Sequence, residues 1–377
     1  MNKIISHLSG WKYRHLVKPI LFRYPPDDIH ELFLSIGKHL GRFRLVRWCF
    51  AAMWRYDDPK LEQTLLGLRF RNPIGLSAGF DYRADLVDIL PSLGFGFHSI
   101  GTLTAQPYGG NPRPMMQRLP KSRSLLVNKG FKNDGVAVTL AKLQMAAPLG
   151  AIRGVSIGST NRAYLDFAEM VEDVVSGFQA AETCSRFDYY ELNISCPNLR
   201  NLENLKEQLA SPSGLKTLLT RLQCLELRRP VFIKLPLEQH EDEMRDLLEA
   251  ARPFAFVKGL ILANLAKDRL NPAFHPEEIA RAGQGNFSGK PTQARSNALL
   301  RYAYRHYHDR FILVGVGGVF SAEDAYMKIL YGASLVQLIT GMIYMGPQEI
   351  GAMNAGIAAR LKRDGYRTIS EAVGTRA

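Results

Sequence analysis

From residue 66 onward the chain alternates short apolar runs with longer stretches of helical spacing, and this alternation limits the fold more than any other feature. The strand-like runs lie at 74–78, 97–101, 154–157, 189–194, 231–235, 259–263, 311–316 and 335–339. Helical patterns fall between them, for example at 169–184, 213–225, 241–251, 293–304 and 322–331. Eight apolar strands with intervening helices predict an α/β fold, a (β/α)8 TIM barrel, with a doubly wound open sheet as the alternative. The 377 residues, 46% of them hydrophobic, suffice for the well-buried core such a barrel needs.

A barrel carries its chemistry at the C-terminal ends of its strands. The fourth run turns abruptly polar there, as Asn193-Ile194-Ser195-Cys196-Pro197-Asn198. Two carboxamides flanking a thiol suit a flat, amide-rich ring and the movement of a proton on it. A small buried thiol is the plainer reading of Cys196. The first strand ends in Ser77, Ala78 and Gly79, small residues that let a ring approach the backbone. Lys234 ends the fifth, either as a snorkelling surface residue or as the partner of an anion or electron-rich ring. Asn264 follows the sixth. Gly315-Val316-Gly317-Gly318 after the seventh and Thr340-Gly341 after the eighth match the usual barrel phosphate site. No G-x-G-x-x-G dinucleotide fingerprint is present, so the expected cofactor is a mononucleotide, FMN.

Residues 1–60 read as an N-terminal amphipathic helical segment and 61–377 as the barrel. Leu16, Val17, Ile20 and Leu21 share one helical face, and Ile29, Leu32, Phe33, Ile36 and Leu40 another. Pro25-Pro26 separates them, with Asp27 or Asp28 expected as the cap of the second helix. A third segment, 45–54, sets Trp48, Phe50 and Trp54 among Arg44, Arg47 and Arg55. Apolar faces bordered by basic residues fit helices lying in a membrane interface; a helical cap on the core is the other reading. The net charge of +13 admits nucleic acid, an anionic membrane or acidic small molecules as partners. No aromatic-studded basic repeat or zinc-finger spacing supports nucleic acid. No apolar run reaches about 18 residues, so membrane contact is expected to be peripheral. The N-terminus lacks the apolar core of a signal peptide, and Cys49, Cys184, Cys196 and Cys224 are dispersed. No disulfide framework or metal site is expected, and a reducing, cytoplasmic setting is favoured.

Several ordered motifs span nearly the whole chain: Arg71-Asn72-Pro73-Ile74-Gly75-Leu76, Ala78-Gly79-Phe80-Asp81, Gly109-Gly110-Asn111-Pro112-Arg113-Pro114 and Gly130-Phe131-Lys132-Asn133-Asp134-Gly135. The 193–198 stretch, Ser288-Gly289-Lys290-Pro291, Val314-Gly315-Val316-Gly317-Gly318 and Gly332-Ala333-Ser334-Leu335-Val336-Gln337 complete them. Together they resemble the dihydroorotate dehydrogenase family, in its membrane-associated, quinone-linked class 2 group. The resemblance implies FMN-dependent oxidation of dihydroorotate to orotate in pyrimidine biosynthesis, with electrons passed to a membrane quinone at the cytoplasmic face of the inner membrane. It implies Cys196 as the base at C5 of dihydroorotate and Asn193, Asn198 and Asn264 as substrate-binding residues. Asn128, one residue beyond the family's substrate asparagine, is expected to join them. FMN contacts are implied at Ala78, Gly79, Thr102, Ser156, Asn193, Lys234, Gly289, Gly317, Gly318, Thr340 and Gly341. Arg118 falls at the quinone entrance, and the helices over 13–40 correspond to its tunnel walls.

The chain also departs from the family pattern. Class 2 members carry serine at the base position, whereas Cys196 is the choice of class 1 enzymes; a thiol ordinarily near 8.5 keeps proton abstraction accessible. Tyr82 stands where the family has a lysine that contacts substrate and flavin, and a phenol carries no charge at neutral pH. Val127 replaces a substrate asparagine, Ser156 a flavin-contacting asparagine, and Ile339 a tyrosine between flavin and quinone. Ala263 and Leu265 replace threonines beside Asn264, and Leu199-Arg200-Asn201 replaces a Thr-Pro-Gly loop. These changes gather on the substrate side. They open two further readings: a paralogous FMN oxidoreductase for another cyclic amide or enone, and a membrane-docked flavoprotein without catalysis. Losing the cation is expected to weaken carboxylate binding about tenfold or more unless Arg83, Lys129 or Lys132 replaces it.

Overall fold

A computed structural model describes residues 3–146, 150–199 and 204–377. Arg200 and Asn201, in the loop after Asn198, lie outside the described residues. The chain opens with α1 (Lys3–Lys12), which passes through a π-helical turn at Tyr13–Val17 into α2 (Lys18–Leu21). Next come α3 (Pro26–Gly41) and α4 (Arg44–Trp54). Pro26 sits in the first turn of α3, where its missing N–H costs nothing. Neither Asp27 nor Asp28 caps this helix: Pro25 holds the cap position without a side-chain bond. Both aspartates lie in the first turn, at the positive end of the helix dipole. Asp27 is buried, and its Oδ2 accepts the Met115 N–H at 2.9 Å, which fixes α3 to the barrel instead.

The hairpin of β1 (Gln63–Leu65) and β2 (Leu68–Phe70) leads into β3 (Ile74–Leu76) and β4 (Phe97–Leu103). An excursion forms β5 (Met116–Leu119) and β6 (Ser124–Val127) before β7 (Ile152–Ile157), β8 (Tyr189–Asn193), β9 (Val231–Lys234) and β10 (Val257–Leu262). After β11 (Asn286–Gly289), β12 (Ile312–Val316) and β13 (Leu335–Leu338) complete the set. The strands β3, β4, β7, β8, β9, β10, β12 and β13 close into one parallel barrel, in that order around the ring. The eight runs read from the sequence are these eight strands, shifted by a few residues at their ends. The open-sheet alternative is excluded by closure between β13 and β3, where Val336, Gln337 and Leu338 pair with Ile74, Gly75 and Leu76.

The helices between strands start where a short polar side chain meets the free N–H groups. Asp166 caps Phe167–Ala181 through the Glu169 N–H at 2.9 Å, and Ser211 caps Pro212–Gln223 through the Gly214 N–H at 3.1 Å. At the N-terminal end, Phe70, Phe97, Tyr189 and Phe232 pack into an aromatic floor. Gly259 lies against the Phe232 ring, where no Cβ would fit. Above that floor the Glu191 carboxylate is fully buried, accepting from Ser99 and from Gln337 Nε2 at 2.8 Å. With its floor sealed, the barrel opens only toward its C-terminal strand ends.

Two features were not foreseen from the sequence. One is the floor hairpin β1–β2; the other is an antiparallel sheet of β6 flanked by β5 and β11 beside the barrel mouth. Their strands are three or four residues long, too short for a period-2 pattern to stand out. The N-terminal helices end at Trp54 and cover the same mouth. Among the described residues no helix is long and apolar enough to cross a membrane.

Candidate active site

One cavity of about 450 Å³ fills the space between the barrel mouth and the N-terminal helices. The barrel contributes Ala78, Gly79, Thr102, Asn193, Cys196, Asn198, Lys234 and Asn264. Gly289, Gly317, Gly318, Thr340 and Gly341 line one side of it. The helices close the other end with Tyr13, Phe22, Ile29, Phe33, Leu40, Phe50 and Trp54, joined by Arg118 from β5. The cavity is therefore polar at the strand ends and apolar beneath the helices.

The strand tip that carries Cys196 is held by a chain of side-chain bonds. Asn193 Nδ2 donates to Thr102 Oγ1 at 2.9 Å, and Thr102 lies 2.9 Å from Ser156 Oγ. Asn264 Nδ2 donates to Ser195 Oγ at 2.8 Å, while Ser195 Oγ donates to Asn193 Oδ1 at 3.1 Å. Asn198 is fixed from two directions: Asn286 Nδ2 donates to its Oδ1 at 2.6 Å, and Asn111 Nδ2 to its carbonyl at 3.0 Å. Each buried amide has a partner, which makes the tip a rigid wall. On the opposite side, Ser288 Oγ and Thr340 Oγ1 lie 2.8 Å apart.

Cys196 sits half-buried at the cavity floor. Burial pushes its thiol up to about 11, partly offset by the Asn198 N–H and by Lys234 and Lys206. Lys234 is buried, directly across the sheet from Asn193 in the strand register. Its ammonium has one described hydrogen bond, to Ser77 Oγ at 3.2 Å. Burial holds it below the ordinary lysine range, against the attraction of Glu191 and Cys196.

Two expected site residues lie elsewhere. Asn128 is buried with its Oδ1 accepting Asn111 Nδ2 at 2.9 Å, and it does not line the cavity. Its neighbours Val127 and Lys129 do, because successive side chains of an extended segment point to opposite sides. Ser156 is also fully buried away from the cavity, behind Thr102. It braces Thr102 and has no place on the cavity wall.

A charged cluster joins helix α3 to this wall. Tyr82 is buried, and its hydroxyl donates to Glu31 Oε1 at 2.5 Å. Glu31 also pairs with Arg83 and with Lys132 Nζ, the latter at 2.7 Å. Burial would raise the Glu31 carboxyl, but the bonds from Lys132, Tyr82 and Arg83 outweigh it and hold the group at about 2. His30 Nε2 lies 2.8 Å from the Phe80 carbonyl, and its Nδ1 lies 2.5 Å from Lys129 Nζ. A carbonyl only accepts, so Nε2 carries the hydrogen and Nδ1 receives one from Lys129. Burial keeps His30 neutral, well below the ordinary imidazole range, with Lys129 adding to the shift. From the sequence Tyr82, Arg83, Lys129 and Lys132 stand out, but His30, Glu31, Asn286 and the bridging role of Asn111 do not. A histidine and a glutamate inside an amphipathic helix give no sign of what they will face.

The family model for dihydroorotate dehydrogenase matches residues 60–361. A relative from Roseiflexus sp. (strain RS-1), named dihydroorotate dehydrogenase (quinone), is 36% identical over 361 residues, covering 95% of this chain and 97% of its own. One of the same name from Nocardia farcinica is 35% identical over 359 residues, covering 95% and 96%. Among solved structures, a dihydroorotate dehydrogenase from Eimeria tenella in complex with ferulenol superposes with a TM-score of 0.81 at 24% identity, over 93% of this chain and 95% of that one. The matches run along nearly the full length, and the chain belongs to the dihydroorotate dehydrogenase family, in its class 2 group.

Proposed function

We infer that this chain oxidises dihydroorotate to orotate, a step of pyrimidine biosynthesis, with FMN as its flavin and a membrane quinone as electron acceptor. The observation that carries the reading is one shared cavity. A thiol between two amides, a buried lysine and a glycine-rich wall share it with an apolar mouth built from the N-terminal helices.

The residues present fit FMN. A Cβ on Gly79 would meet only Ile339 Cδ1, at 3.6 Å, so the backbone there offers a flat face to a ring. Gly317 has φ +104, and a Cβ on it would stand 2.5 Å from Thr292 Oγ1. Glycine backbone at 317–318, with the Ser288 and Thr340 hydroxyls, supplies donors for a phosphate. Lys234 keeps donors free for the electron-rich edge of the ring. Ala78, Thr102, Gly289 and Gly341 would complete the contacts. Bound FMN supplies the hydride acceptor and the electrons that reach the quinone.

The protein's own part is to orient substrate and move a proton. Asn193, Asn198 and Asn264 meet the amide edges of the pyrimidine, held in place by Thr102, Ser195, Asn111 and Asn286. Cys196 takes the proton from C5, with Lys234 favouring the thiolate. The quinone enters at the apolar end, past Arg118, whose Nη1 donates to the Tyr24 carbonyl at 2.7 Å. Exposed Phe43, Leu45 and Trp48 stand among Arg42, Arg44 and Arg47, which suits peripheral attachment to an anionic membrane at its cytoplasmic face.

Anaerobic addition of dihydroorotate to the flavin-loaded protein tests the reading. Dihydroorotate bleaches the flavin absorbance, and a soluble quinone restores it. A flavin that stays oxidised with dihydroorotate, or is bleached only by another dihydropyrimidine or an enone, overturns the assignment.

A further inference from the structure

Three cations stand around Tyr82, the position at which the resemblance expects a lysine. Arg83 and Lys132 are both engaged by the Glu31 carboxylate. Lys129 is different. It is buried, lines the cavity, and forms no ion pair among the described residues. Its Nζ sits 4.8 Å from the Tyr82 ring centroid, and its one described hydrogen bond goes to the neutral His30. An ammonium has three donors, so two remain for whatever enters the cavity. A buried ammonium with no carboxylate in ion-pair contact among the described residues, drawn only at longer range by Asp27 and Glu31, is costly and leaves room for an anion.

The segment bearing Lys129 is also tied to the tip that bears Cys196. Asn111 Nδ2 bridges Asn128 Oδ1 and the Asn198 carbonyl, at 2.9 and 3.0 Å. Gly130 lies so close to Asn111 and Asn161 that a Cβ would stand 2.6–2.9 Å from their amides. Lys129 therefore follows directly on a residue locked against the substrate wall.

We propose that Lys129 supplies the cation for the substrate's carboxylate, in place of the charge missing at Tyr82. The inference rests on the function proposed above and deepens it. Tyr82 serves as the packing surface that holds the Lys129 side chain, while Glu31 occupies the two competing cations. Burial lowers Lys129 to about 7, and an arriving carboxylate raises it again, so substrate binding restores its charge.

The test titrates FMN-loaded protein with orotate and with orotate methyl ester, following the flavin spectrum. Lys129→Met is expected to weaken orotate binding roughly tenfold or more, with ester binding changed less than about twofold. Lys129→Arg should retain most of the affinity, and Tyr82→Lys in the Lys129→Met background should recover it. If Lys129→Met loses its flavin, Lys129→Gln carries the same comparison. Equal loss for acid and ester, no loss for either, or an effect confined to the quinone KM overturns the proposal. Wild-type protein that neither binds orotate nor is reduced by dihydroorotate overturns the functional reading as well. Normal wild-type behaviour left unchanged by Lys129→Met overturns only the role of Lys129.

Discussion

His30 Nε2 donates to the Phe80 carbonyl at 2.8 Å, latching helix α3 onto the loop that leaves the first barrel strand. The N-terminal helices are thereby part of the cavity wall. Because burial holds His30 well below the ordinary imidazole range, the folded protein keeps it neutral where the unfolded chain takes up a proton. The sign follows from linkage: the contribution is fully present above about pH 6.5 and is lost as pH falls, by about 1.4 kcal/mol per unit, until the folded group titrates. His30→Ala should cost ~1–3 kcal/mol at neutral pH and remove this acid dependence. Denaturant unfolding at pH 7.5 and 5.5 measures both.

Cys196→Ala should retain its flavin yet slow reduction by dihydroorotate by about 10²–10⁴-fold. In the wild-type protein the thiol is raised to about 11, so the reactive thiolate is a minor species that grows with pH. The single-turnover reduction rate should climb close to tenfold per unit from pH 6 to 9. A rate that levels off near pH 7 would point to a different base.

Lys234→Met removes the cation buried beside Asn193. Reduced flavin carries the extra negative charge, so the midpoint potential should fall. A lost charge-assisted contact of about 1.5–3 kcal/mol corresponds to roughly 30–60 mV for a two-electron couple. Spectroelectrochemistry reads the shift directly.

Gly317→Ala places a methyl group 2.5 Å from Thr292 Oγ1 at a φ of +104. The strain is about 1–2 kcal/mol, and the displaced backbone should hold phosphate poorly. The purified variant is expected to carry substoichiometric flavin, read from its absorbance ratio, with the barrel still folded by circular dichroism.

Trp48→Glu and Leu45→Glu change side chains that are 67% and 69% exposed. Both should reduce co-sedimentation with anionic vesicles and leave dihydroorotate-driven flavin reduction unchanged. Wild-type binding should weaken as salt rises, since the flanking arginines act through a screened surface field.

The sequence by itself determines the barrel, because eight apolar runs separated by helices have few ways to bury themselves. It also determines the strand-end residues that meet: Asn193, Cys196, Asn198, Lys234 and Asn264 line one cavity because parallel strands bring their C-terminal ends to a common mouth. The side on which a neighbouring residue falls is not written so plainly. Asn128 looks like a substitute for the asparagine missing at Val127, but the extended backbone turns it toward Asn111 and gives the cavity to Val127 and Lys129. Ser156 turns behind Thr102 in the same way. Only the tertiary structure decides what becomes of the charge missing at Tyr82. Glu31, from a helix distant in sequence, claims Arg83 and Lys132 and leaves Lys129 without a direct ion pair among the described residues. Pairing between side chains depends on which surfaces the fold presses together, and local pattern carries no record of that.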